Sequence, residues 1–292
     1  MNILLTGGAG FIGSHVGDML IADGHQVTIL DDLSTGRRSN VPPGAEFIEE
    51  DIRSRSIHAL WADRRFDTLV HLAAQMDVRK SVKDPVFDAD VNIRGTLNLV
   101  EAGRENGLGR VVFTSTGGAG YDDNVPFPTP ETVPARPVSP YGIAKIATEM
   151  YLRYYHLEHS IPYVALRLGN VYGPRQNPHG EAGVIAIFSQ RLLAGQTALI
   201  NGDGLQTRDY VYVGDVADAV RRALSYNGVG SLNVGTSIET SVVELFRMIR
   251  DAAGVDVEEV HGPGKPGEVR RSCLANDLIR REMGWEPRVP LR

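Results

Sequence analysis

Short apolar runs rich in β-branched residues alternate with helix-like segments along the first 170 residues. The strand-like runs are NILLT at 2–6, QVTILD at 26–31, EFIEED at 46–51, TLVHLA at 68–73, RVVFTS at 110–115 and YVALRL at 163–168. Between the first two runs, apolar residues recur at helical spacing at Ile12, Val16, Met19 and Leu20. This helix is expected to begin near Phe11 and to end at Gly24. The alternation predicts right-handed βαβ crossovers and therefore an α/β fold with a Rossmann-like, doubly wound parallel sheet.

The pattern changes after residue 170. Loops rich in proline and glycine surround an apolar helical stretch at 183–195, and a strand followed by a helix returns at 210–224. We therefore predict a Rossmann domain over 1–170, with a returning segment at about 210–235. A smaller, partly interleaved substrate-binding lobe is predicted over 171–209 and 236–292. Six prolines between 126 and 140 predict an ordered or semi-rigid loop there.

Composition narrows the class of protein. The 36 acidic and 30 basic residues give a net charge of −6, which argues against a nucleic acid or an anionic membrane as partner. No apolar run approaches the roughly 18 residues of a membrane helix, and the start MNILLTGG has no basic segment typical of a signal peptide. A single cysteine, Cys273, excludes an internal disulfide. These features predict a cytoplasmic protein, and no metal site is expected.

The first strand and the first helix are joined by a glycine-rich turn, TGGAGFIG, with Gly7, Gly10 and Gly13 at regular spacing. Such a tight turn needs glycine, and side chains there would block an anion from the free N–H groups at the start of the helix. The strand-turn-helix context predicts a dinucleotide pyrophosphate site. We expect the three glycines, Phe11 and Ile12 to contact this cofactor.

The second strand ends in Asp31 and Asp32, roughly 20 residues further on. A carboxylate at this position accepts hydrogen bonds from both ribose hydroxyls of NAD and repels the additional phosphate of NADP. We therefore predict NAD as the cofactor, with Asp31 as the preferred ligand. Arg37 and Arg38 follow and can hold the NADP phosphate, but a basic pair in a loop is more often solvated.

The pentapeptide TGGAG occurs a second time, at 116–120, but no helical pattern follows it. The phosphate argument therefore fails here. Ser115 and Thr116 end a central strand, where a doubly wound sheet presents side chains to its ligand crevice. Their hydroxyl groups are candidates for contact with a substrate, and the alternative is that they cap nearby backbone groups.

A helix is predicted after VSP at 138–140, because Ser139 can cap it and Pro140 suits its first position. Tyr141 and Lys145 then lie four residues apart on one face. A nearby ammonium favours the phenolate and should lower the pKa of Tyr141 from about 10 towards that of a usable base. A Tyr/Lys pair is common by chance, so this interpretation depends on the nucleotide turn.

Together these motifs resemble the extended short-chain dehydrogenase/reductase family. The family-wide resemblance is carried by TGGAGFIGSH, by Tyr141-Gly-Ile-Ala-Lys145 and by HLAAQ at 71–75. Longer stretches are similar to its UDP-glucose (UDP-galactose) 4-epimerase branch, namely STGGAGY at 115–121, NIRGTLNLVEA at 92–102, RLGNVYGPRQ at 167–176, NPHGEAGVIAIF at 177–188 and TRDYVYV at 207–213.

The resemblance implies an isomerase that inverts C4 of a UDP-hexose with NAD. Tyr141 would be the base, Lys145 would anchor the nicotinamide ribose and tune the tyrosine, and Thr116, with Ser115 beside it, would bridge Tyr141 and the sugar 4-hydroxyl. Hydride transfer to NAD, rotation of the 4-keto sugar and return of the hydride to its other face would leave NAD unchanged. Helices at about 87–104 and 140–158 would form the interface of a homodimer.

Further contacts are implied by the same resemblance. The residues expected to bind the cofactor besides the glycine turn and Asp31 are Asp51 and Ile52 at the adenine, Leu72, Ala73 and Ala74 along the cofactor, and Asn92, which would orient the loop beneath it. The residues expected to bind the nucleotide sugar are Asn170, Val184, Arg208, Lys265 and Glu268. Most of these residues also have a purely structural interpretation. Leu72 to Ala74 can simply end a strand, and Asp51 can simply form a turn.

Some positions depart from the epimerase pattern. Gly120 and Asp122 replace an aliphatic residue and a glycine around Tyr121, Asn201 stands where an aromatic residue is usual, and Lys265 replaces an arginine that would bind phosphate as a fork. The chain also ends at VPLR, where members of the branch normally continue into another helix, so a shortened C-terminus is expected. These departures concern affinity and nucleotide choice more than the type of reaction.

Three alternatives to this function differ in how well they fit the sequence. Dehydratases and decarboxylases of nucleotide sugars carry carboxylates directly after the strand-end threonine, where this chain has Gly117 and Gly118, so no carboxylate is available for elimination. An epimerase acting on UDP-N-acetylglucosamine or UDP-glucuronate is harder to distinguish, and the small Ser272 favours room for an N-acetyl group. A non-catalytic NAD(P)-binding sensor is the third alternative, but such proteins typically lose the Tyr/Lys pair.

Overall fold

The protein is described here by a computed structural model that covers residues 1–122, 124–178, 183–264 and 269–291. Its strands, in chain order, are β1 Asn2–Thr6, β2 Gln26–Asp31, β3 Glu46–Glu49, β4 Thr68–His71, β5 Arg110–Thr116, β6 Tyr163–Leu168, β7 Asn170–Tyr172, β8 Leu199–Asn201, β9 Thr207–Arg208, β10 Tyr210–Tyr212, β11 Gly230–Val234, β12 Thr240–Ser241 and β13 Val260–Gly262. Its α-helices are α1 Phe11–Ala22, α2 Ser56–Arg64, α3 Val78–Lys83, α4 Pro85–Ala89, α5 Thr96–Glu105, α6 Pro140–His159, α7 Val184–Leu193, α8 Val213–Ala223, α9 Val242–Ala253 and α10 Asp277–Met283.

The central sheet is parallel and has the strand order β3-β2-β1-β4-β5-β6-β11. The chain therefore moves outward from β1 in one direction and then in the other, which leaves a crevice at the carboxyl ends of β1 and β4, where the order reverses. Side chains on both faces of these strands are buried, as expected for a parallel sheet covered by helices. The predicted doubly wound α/β fold is confirmed.

Two apolar cores lie on the two faces of the sheet. On one face, α1 packs against α8, and Val16, Leu20, Val216 and Trp285 are buried there. On the other face, α2, α5 and α6 bury Trp61, Leu99 and Leu152. Because each helix covers the sheet with one apolar stripe, the carboxyl edge of the sheet remains available for ligands.

A third apolar core lies between α7 and α9 and is separate from the sheet. Phe188 and Phe246 meet edge to face there, with ring centroids 5.7 Å apart, beside Leu192 and Ile200. Its elements come from 184–200 and 242–257, within the segments predicted to form the second lobe. The division of the chain into two domains stays a prediction.

Most elements lie where the sequence predicts them, and within the segment at 210–235 that was predicted to return to the Rossmann domain, the strand that joins the central sheet is β11. The run at 210–212 does not enter the central sheet, because β10 pairs with β7, which directly follows β6. The seventh central strand is instead β11, which pairs with β6 over its whole length. The predicted start of α6 is confirmed, since Pro140 is its first residue and the Ser139 hydroxyl accepts a hydrogen bond from Gly142 N at 3.2 Å. Among the described residues, no helix is both long and apolar enough to cross a bilayer.

Candidate active site

The first glycine pentapeptide forms a bare backbone turn between β1 and α1. Gly7 has φ +72°, and a Cβ on it would lie 2.6 Å from Ala73 N. A Cβ on Gly13 would overlap the carbonyl oxygen of Gly7. Gly10 is the extended residue that precedes α1, so the first N–H groups of the helix, from Phe11 and Ile12 onward, follow directly after the turn. This surface suits a pyrophosphate, which is the fit that a dinucleotide requires.

Asp31 lies at the end of β2 beside this turn. Its carboxylate accepts hydrogen bonds from Ala9 N at 3.0 Å and from Leu33 N at 2.9 Å. Burial raises the pKa of Asp31, and the two backbone N–H groups oppose that shift. Asp32 is exposed and instead bonds the backbone N–H and the hydroxyl of Ser34. Of the two candidates, the structure therefore brings only Asp31 to the glycine turn.

The segment after β4 lies next to the same turn. The backbone of Leu72 and Ala73 is the part of the chain that a side chain on Gly7 would strike. Ala74 follows, and the chain is then held by Asn92, whose amide oxygen accepts from Gln75 N and whose amide nitrogen donates to Gln75 O, both at 2.9 Å. The predicted cofactor residues of this segment thus lie at the crevice between β1 and β4.

Asp51 and Ile52 sit beside the π-helical segment Asp90–Gly95, which joins α4 to α5. The Asp51 carboxylate is bound by the Arg53 guanidinium, with Nε 3.0 Å from both carboxylate oxygens, and Arg53 also bonds Asp90 at 2.8 Å. This pairing lowers the pKa of Asp51. Ile52 is buried, and a Cβ on Gly95 would lie 2.7 Å from its Cδ1. The ion pair with Arg53 was not predicted, and the contact of Asp51 with adenine stays a prediction.

Ser115 and Thr116 end β5 and make different contacts. The Ser115 hydroxyl donates to Glu149 Oε1 at 2.5 Å, and Glu149 also binds the Arg167 fork, with Nη2 at 2.7 Å. The Thr116 hydroxyl accepts a hydrogen bond from Ala119 N at 3.1 Å and has no acceptor of its own among the described residues. Ser115 is thus part of a buried ion-pair network, and only Thr116 keeps a free hydroxyl proton.

The first turns of α6 pack directly against the second pentapeptide. A Cβ on Gly142 would overlap the Ala119 carbonyl oxygen, so this helix approaches the loop as closely as a glycine permits. Lys145 Nζ donates to Thr114 O at 2.9 Å and lies 4.4 Å from the centroid of the Phe113 ring. These contacts bring Tyr141 and Lys145 to the end of β5, where Thr116 lies.

Burial controls the ionisation of both α6 groups. It lowers the pKa of Lys145 to about 7, against the opposing effects of Asp88 and Glu149. The pKa of Tyr141 is raised, first by burial and then by the negative charge of Asp88. The predicted decrease in the pKa of Tyr141 beside Lys145 is therefore wrong for this structure, because loss of hydration and the charge of Asp88 govern the phenol.

The glycines of the second pentapeptide make room for other parts of the chain. A Cβ on Gly117 would lie 2.7 Å from Leu274 Cδ2, and one on Gly118 would lie 3.6 Å from Ser272 Oγ and 3.7 Å from Asn170 Oδ1. A Cβ on Gly120 would lie 2.8 Å from the carbonyl oxygen of Thr116, so the aliphatic residue expected there does not fit this loop.

The remaining candidates for sugar binding belong to the region beyond β6. Asn170 lies opposite Gly118, and its backbone N–H donates to Asp209 O at 2.7 Å. Val184 is the first residue of α7, and Arg208 ends β9, where its Nη1 donates to Thr207 O at 2.7 Å. Lys265 and Glu268 lie outside the described residues, and so do their predicted contacts.

Two buried groups near Lys145 were missed from the sequence. His71 bonds the hydroxyl groups of Thr6 and Thr96 at 2.7 and 2.8 Å, and burial, aided by the charge of Lys145, lowers its pKa to about 3. Asp88 accepts from Gln75 Nε2 at 2.8 Å through one oxygen. His71 was visible only as the first letter of HLAAQ, and Asp88 carried no signal, because it stands in a short helix among other acidic residues.

No cluster of three metal-ligating side chains of the His, Cys, Asp or Glu type occurs in the part of the chain that the structure describes. Cys273 is a buried free thiol whose pKa is raised to about 12, mainly by burial. The side chains that the structure brings to the end of β5 are a phenol, an ammonium and a hydroxyl group, close to the glycine turn.

Comparisons with known proteins show the family. Residues 3–235 match the model of the NAD dependent epimerase/dehydratase family. The chain is 48% identical over 297 residues to the UDP-glucose 4-epimerase of Mycolicibacterium smegmatis, covering 100% of this chain and 95% of that protein. A crystal structure of the UDP-glucose 4-epimerase of Thermotoga maritima with UDP-glucose superimposes with a TM-score of 0.98 at 46% identity, over 100% of this chain and 95% of that one. The UDP-glucose 4-epimerase of Thermus thermophilus, in complex with NAD, gives a TM-score of 0.93 at 45% identity, over 99% and 95%.

Proposed function

We propose a reaction for this chain on the premise that it belongs to the NAD dependent epimerase/dehydratase family. It is an NAD-dependent isomerase that inverts C4 of a UDP-hexose, interconverting UDP-glucose and UDP-galactose. The UDP-glucose 4-epimerases that are similar to the whole chain support this assignment. The glycine turn at Gly7 to Gly13 and the carboxylate of Asp31 supply the surface for NAD.

NAD, when bound, supplies the acceptor and the donor of the C4 hydride. In our proposal Tyr141 accepts the proton of the sugar 4-hydroxyl as the C4 ketone forms, and it returns the proton when the carbinol is restored. Thr116 donates its free hydroxyl proton to the sugar oxygen. The charged Lys145 stabilises negative charge on Tyr141 and orients the ribose next to it. With its raised pKa, the Tyr141 phenol keeps its proton in this structure. A positive charge near the phenol must therefore lower this pKa during turnover.

The packing of Gly117 is the observation that carries the choice of epimerase over dehydratase. The position after Thr116 is filled by Leu274, which is buried and whose N–H is held by the Asp209 carboxylate at 3.2 Å. A carboxylate side chain at 117 would collide with Leu274 unless the segment at 273–275 moved. The site therefore offers no acid or base there for elimination, which leaves hydride and proton transfer at C4.

The test is turnover by the purified full chain. With UDP-galactose as substrate and NAD supplied, we expect UDP-glucose as product, identified by the coupling constants of H4 in the proton NMR spectrum. Bound NAD without any product would refute the epimerase and favour a sensor. Loss of the 6-hydroxyl from the product would instead indicate a dehydratase.

A second candidate substrate is UDP-N-acetylglucosamine, and Ser272 favours it. The Ser272 hydroxyl lies opposite Gly118, and neither residue fills the space at this end of the site with a large side chain. Rates for UDP-galactose and UDP-N-acetylgalactosamine, compared in wild type and in Ser272→Tyr, distinguish the two. If Ser272 sets the width of the sugar pocket, Ser272→Tyr should selectively lose turnover of the N-acetyl sugar.

The proposal includes a nucleotide-sugar lobe over 171–209 and 236–292 and a homodimer. The support for the dimer is the face of α6, on which large apolar side chains are exposed, at Ile143, Met150, Tyr151, Tyr154 and Leu157. Sedimentation should give twice the mass of the chain, and Leu157→Glu should shift it towards the monomer. A cytoplasmic location agrees with the buried free thiol of Cys273.

A further inference from the structure

Asp88 is a buried carboxylate in which only one of the two oxygens has hydrogen-bond partners. It is 1% exposed and lies on α4, which packs against α6. Its Oδ1 accepts from Gln75 Nε2 at 2.8 Å and from Asn92 Nδ2 at 3.1 Å. Its Oδ2 is also buried but has no hydrogen-bond partner, and among the described residues this is the only carboxylate oxygen in that condition. A buried carboxylate of this kind destabilises the fold unless a positive charge compensates it.

Lys145, on α6, is a buried cation. It is 3% exposed, and its ammonium donates to one carbonyl oxygen, that of Thr114, above the ring of Phe113. Among the described residues, no carboxylate oxygen lies within 4 Å of its Nζ, and the two groups that it contacts, the Thr114 carbonyl and the Phe113 ring, are uncharged. An ammonium buried among neutral groups tends to lose its proton, unless a negative charge lies close enough to hold it.

The negative charges that act on Lys145 are those of Asp88 and Glu149. Glu149 already binds Arg167 through both oxygens and accepts from the hydroxyl groups of Ser115 and Ser231. Its charge is therefore compensated by Arg167. Asp88 has no such partner, and the influence is mutual, because Lys145 lowers the pKa of Asp88 while Asp88 raises that of Lys145.

The other charged groups around α6 do not compete for this role. His71 is neutral above a pKa of about 3, and Tyr141 keeps its proton. Arg167 of β6 forms an ion pair with Glu149. The charged side chains of α3 and of the π-helical segment lie at or near the surface, at Arg79, Lys80, Lys83, Asp90 and Arg94.

We propose that Asp88 is a positioning residue for the reaction, because its buried carboxylate is the counter-charge that keeps Lys145 protonated. This inference deepens the proposed function and rests on it. Asp88 touches neither the reacting atoms nor the ribose in this role and acts through the ammonium alone. Its charge opposes ionisation of Tyr141, so its contribution to turnover is the charged state of Lys145, which in turn favours the phenolate.

The test is the ionisation of Lys145 itself, measured in the full chain by NMR with ¹³C-labelled lysine. Asp88→Asn keeps an oxygen that accepts from Gln75 and Asn92 but removes the charge. We expect the titration of Lys145 to move to lower pH by about one unit or more. Asp63→Asn is the matched control, because it removes the same charge from an exposed position on α2 and should leave the titration unchanged.

Two further readouts separate this role from a structural one. The loss of kcat at high pH, where Lys145 gives up its proton, should move to lower pH in Asp88→Asn by the same interval as the NMR titration. The raised pKa of Asp88 means that wild type loses stability as the pH rises through it, so Asp88→Asn should unfold at an equal or higher temperature at pH 7. That advantage should disappear below about pH 3.8.

The reciprocal variant covers the case in which Asp88→Asn does not fold. In Lys145→Met, the carboxyl carbon of Asp88 should titrate at higher pH than in wild type, because the nearby positive charge is gone. An unchanged titration of either group after removal of the other overturns the proposal. If the titrations shift but wild type does not turn over UDP-galactose, the charge pairing stands and the proposed function fails.

Discussion

Separate alanine substitutions of Ser115 and Thr116 should divide stability from activity at the end of β5. The two hydroxyl groups are neighbours in sequence, but Ser115 donates to the buried Glu149 carboxylate at 2.5 Å, whereas Thr116 keeps a free proton. We expect Ser115→Ala to lower the stability of the fold with little change in kcat. We expect Thr116→Ala to lower kcat with little change in the stability of the fold.

The magnitudes follow from these contacts. A hydrogen bond to a charged group contributes about 1.5–3 kcal/mol, so loss of the Ser115 hydroxyl should lower the melting temperature by roughly 3 to 10 °C for a chain of this size. Thr116 receives one neutral bond, from Ala119 N, and its loss costs about 1 kcal/mol or less. Removal of a hydroxyl that donates to the reacting oxygen should lower kcat by roughly 10² to 10³.

The assay pairs calorimetric melting with initial rates on UDP-galactose for both variants. Thr116→Ser is the control, since it keeps the hydroxyl group and should retain most of the activity. Equal losses of kcat in the two alanine variants, with unchanged melting of Ser115→Ala, would refute this division and return Ser115 to the catalytic set. Normal turnover by Thr116→Ala would remove Thr116 from it.

Three further outcomes are expected. Tyr141→Phe should bind NAD as wild type does in a fluorescence titration but turn over UDP-galactose roughly 10² to 10⁴ times more slowly, and near-normal turnover would exclude Tyr141 as the base. Gly13→Ala should lose NAD binding or fold poorly, because its Cβ would overlap the carbonyl oxygen of Gly7; calorimetry with and without NAD measures this, and wild-type binding would contradict the proposed pyrophosphate turn. Since the pKa of Lys145 is lowered to about 7, the folded protein holds fewer protons than the unfolded chain between pH 7 and pH 10, and the free energy of unfolding should rise with pH over that interval. Urea unfolding should show a smaller rise in Lys145→Met, and an identical rise would mean that Lys145 is not the group responsible.

The sequence was most informative where a local signal decides the structure. The strands β1, β2, β4, β5 and β6 were visible as apolar runs because nearly all of their residues are buried, whereas the edge strand β3 is partly exposed. The start of α6 was visible because capping by Ser139 and Pro140 is local. The membership of β11 in the sheet was less visible. GSLNV has a glycine, a serine and an asparagine among its five residues, and it was recognisable as the seventh strand only through its pairing with β6.

Charge placement in the core lay beyond the reach of sequence patterns. Glu149 and Arg167 are 18 residues apart and become partners because α6 lies across β6. Asp88 and Lys145 come from different helices, and the raised pKa of Tyr141 follows from burial that no spacing reveals. The motif YGIAK therefore pointed to the candidate side chains but did not indicate their ionisation, which depends on neighbours supplied by distant segments.

The two TGGAG pentapeptides show why equal sequences can have different functions within one chain. The first is confined by the backbone of Ala73 at the end of β4, and it opens onto the start of α1. The second is confined by Leu274 from the far end of the chain and by the approach of α6 at Gly142. In the first, any side chain would close the backbone surface that suits a phosphate. In the second, side chains are excluded so that α6 and Leu274 can pack against the loop, and this packing fixes the region in which we propose that Tyr141 and Thr116 act. Substitution in the first turn should therefore weaken NAD binding, whereas substitution of Gly117 should displace the sugar side of the site and leave NAD binding intact.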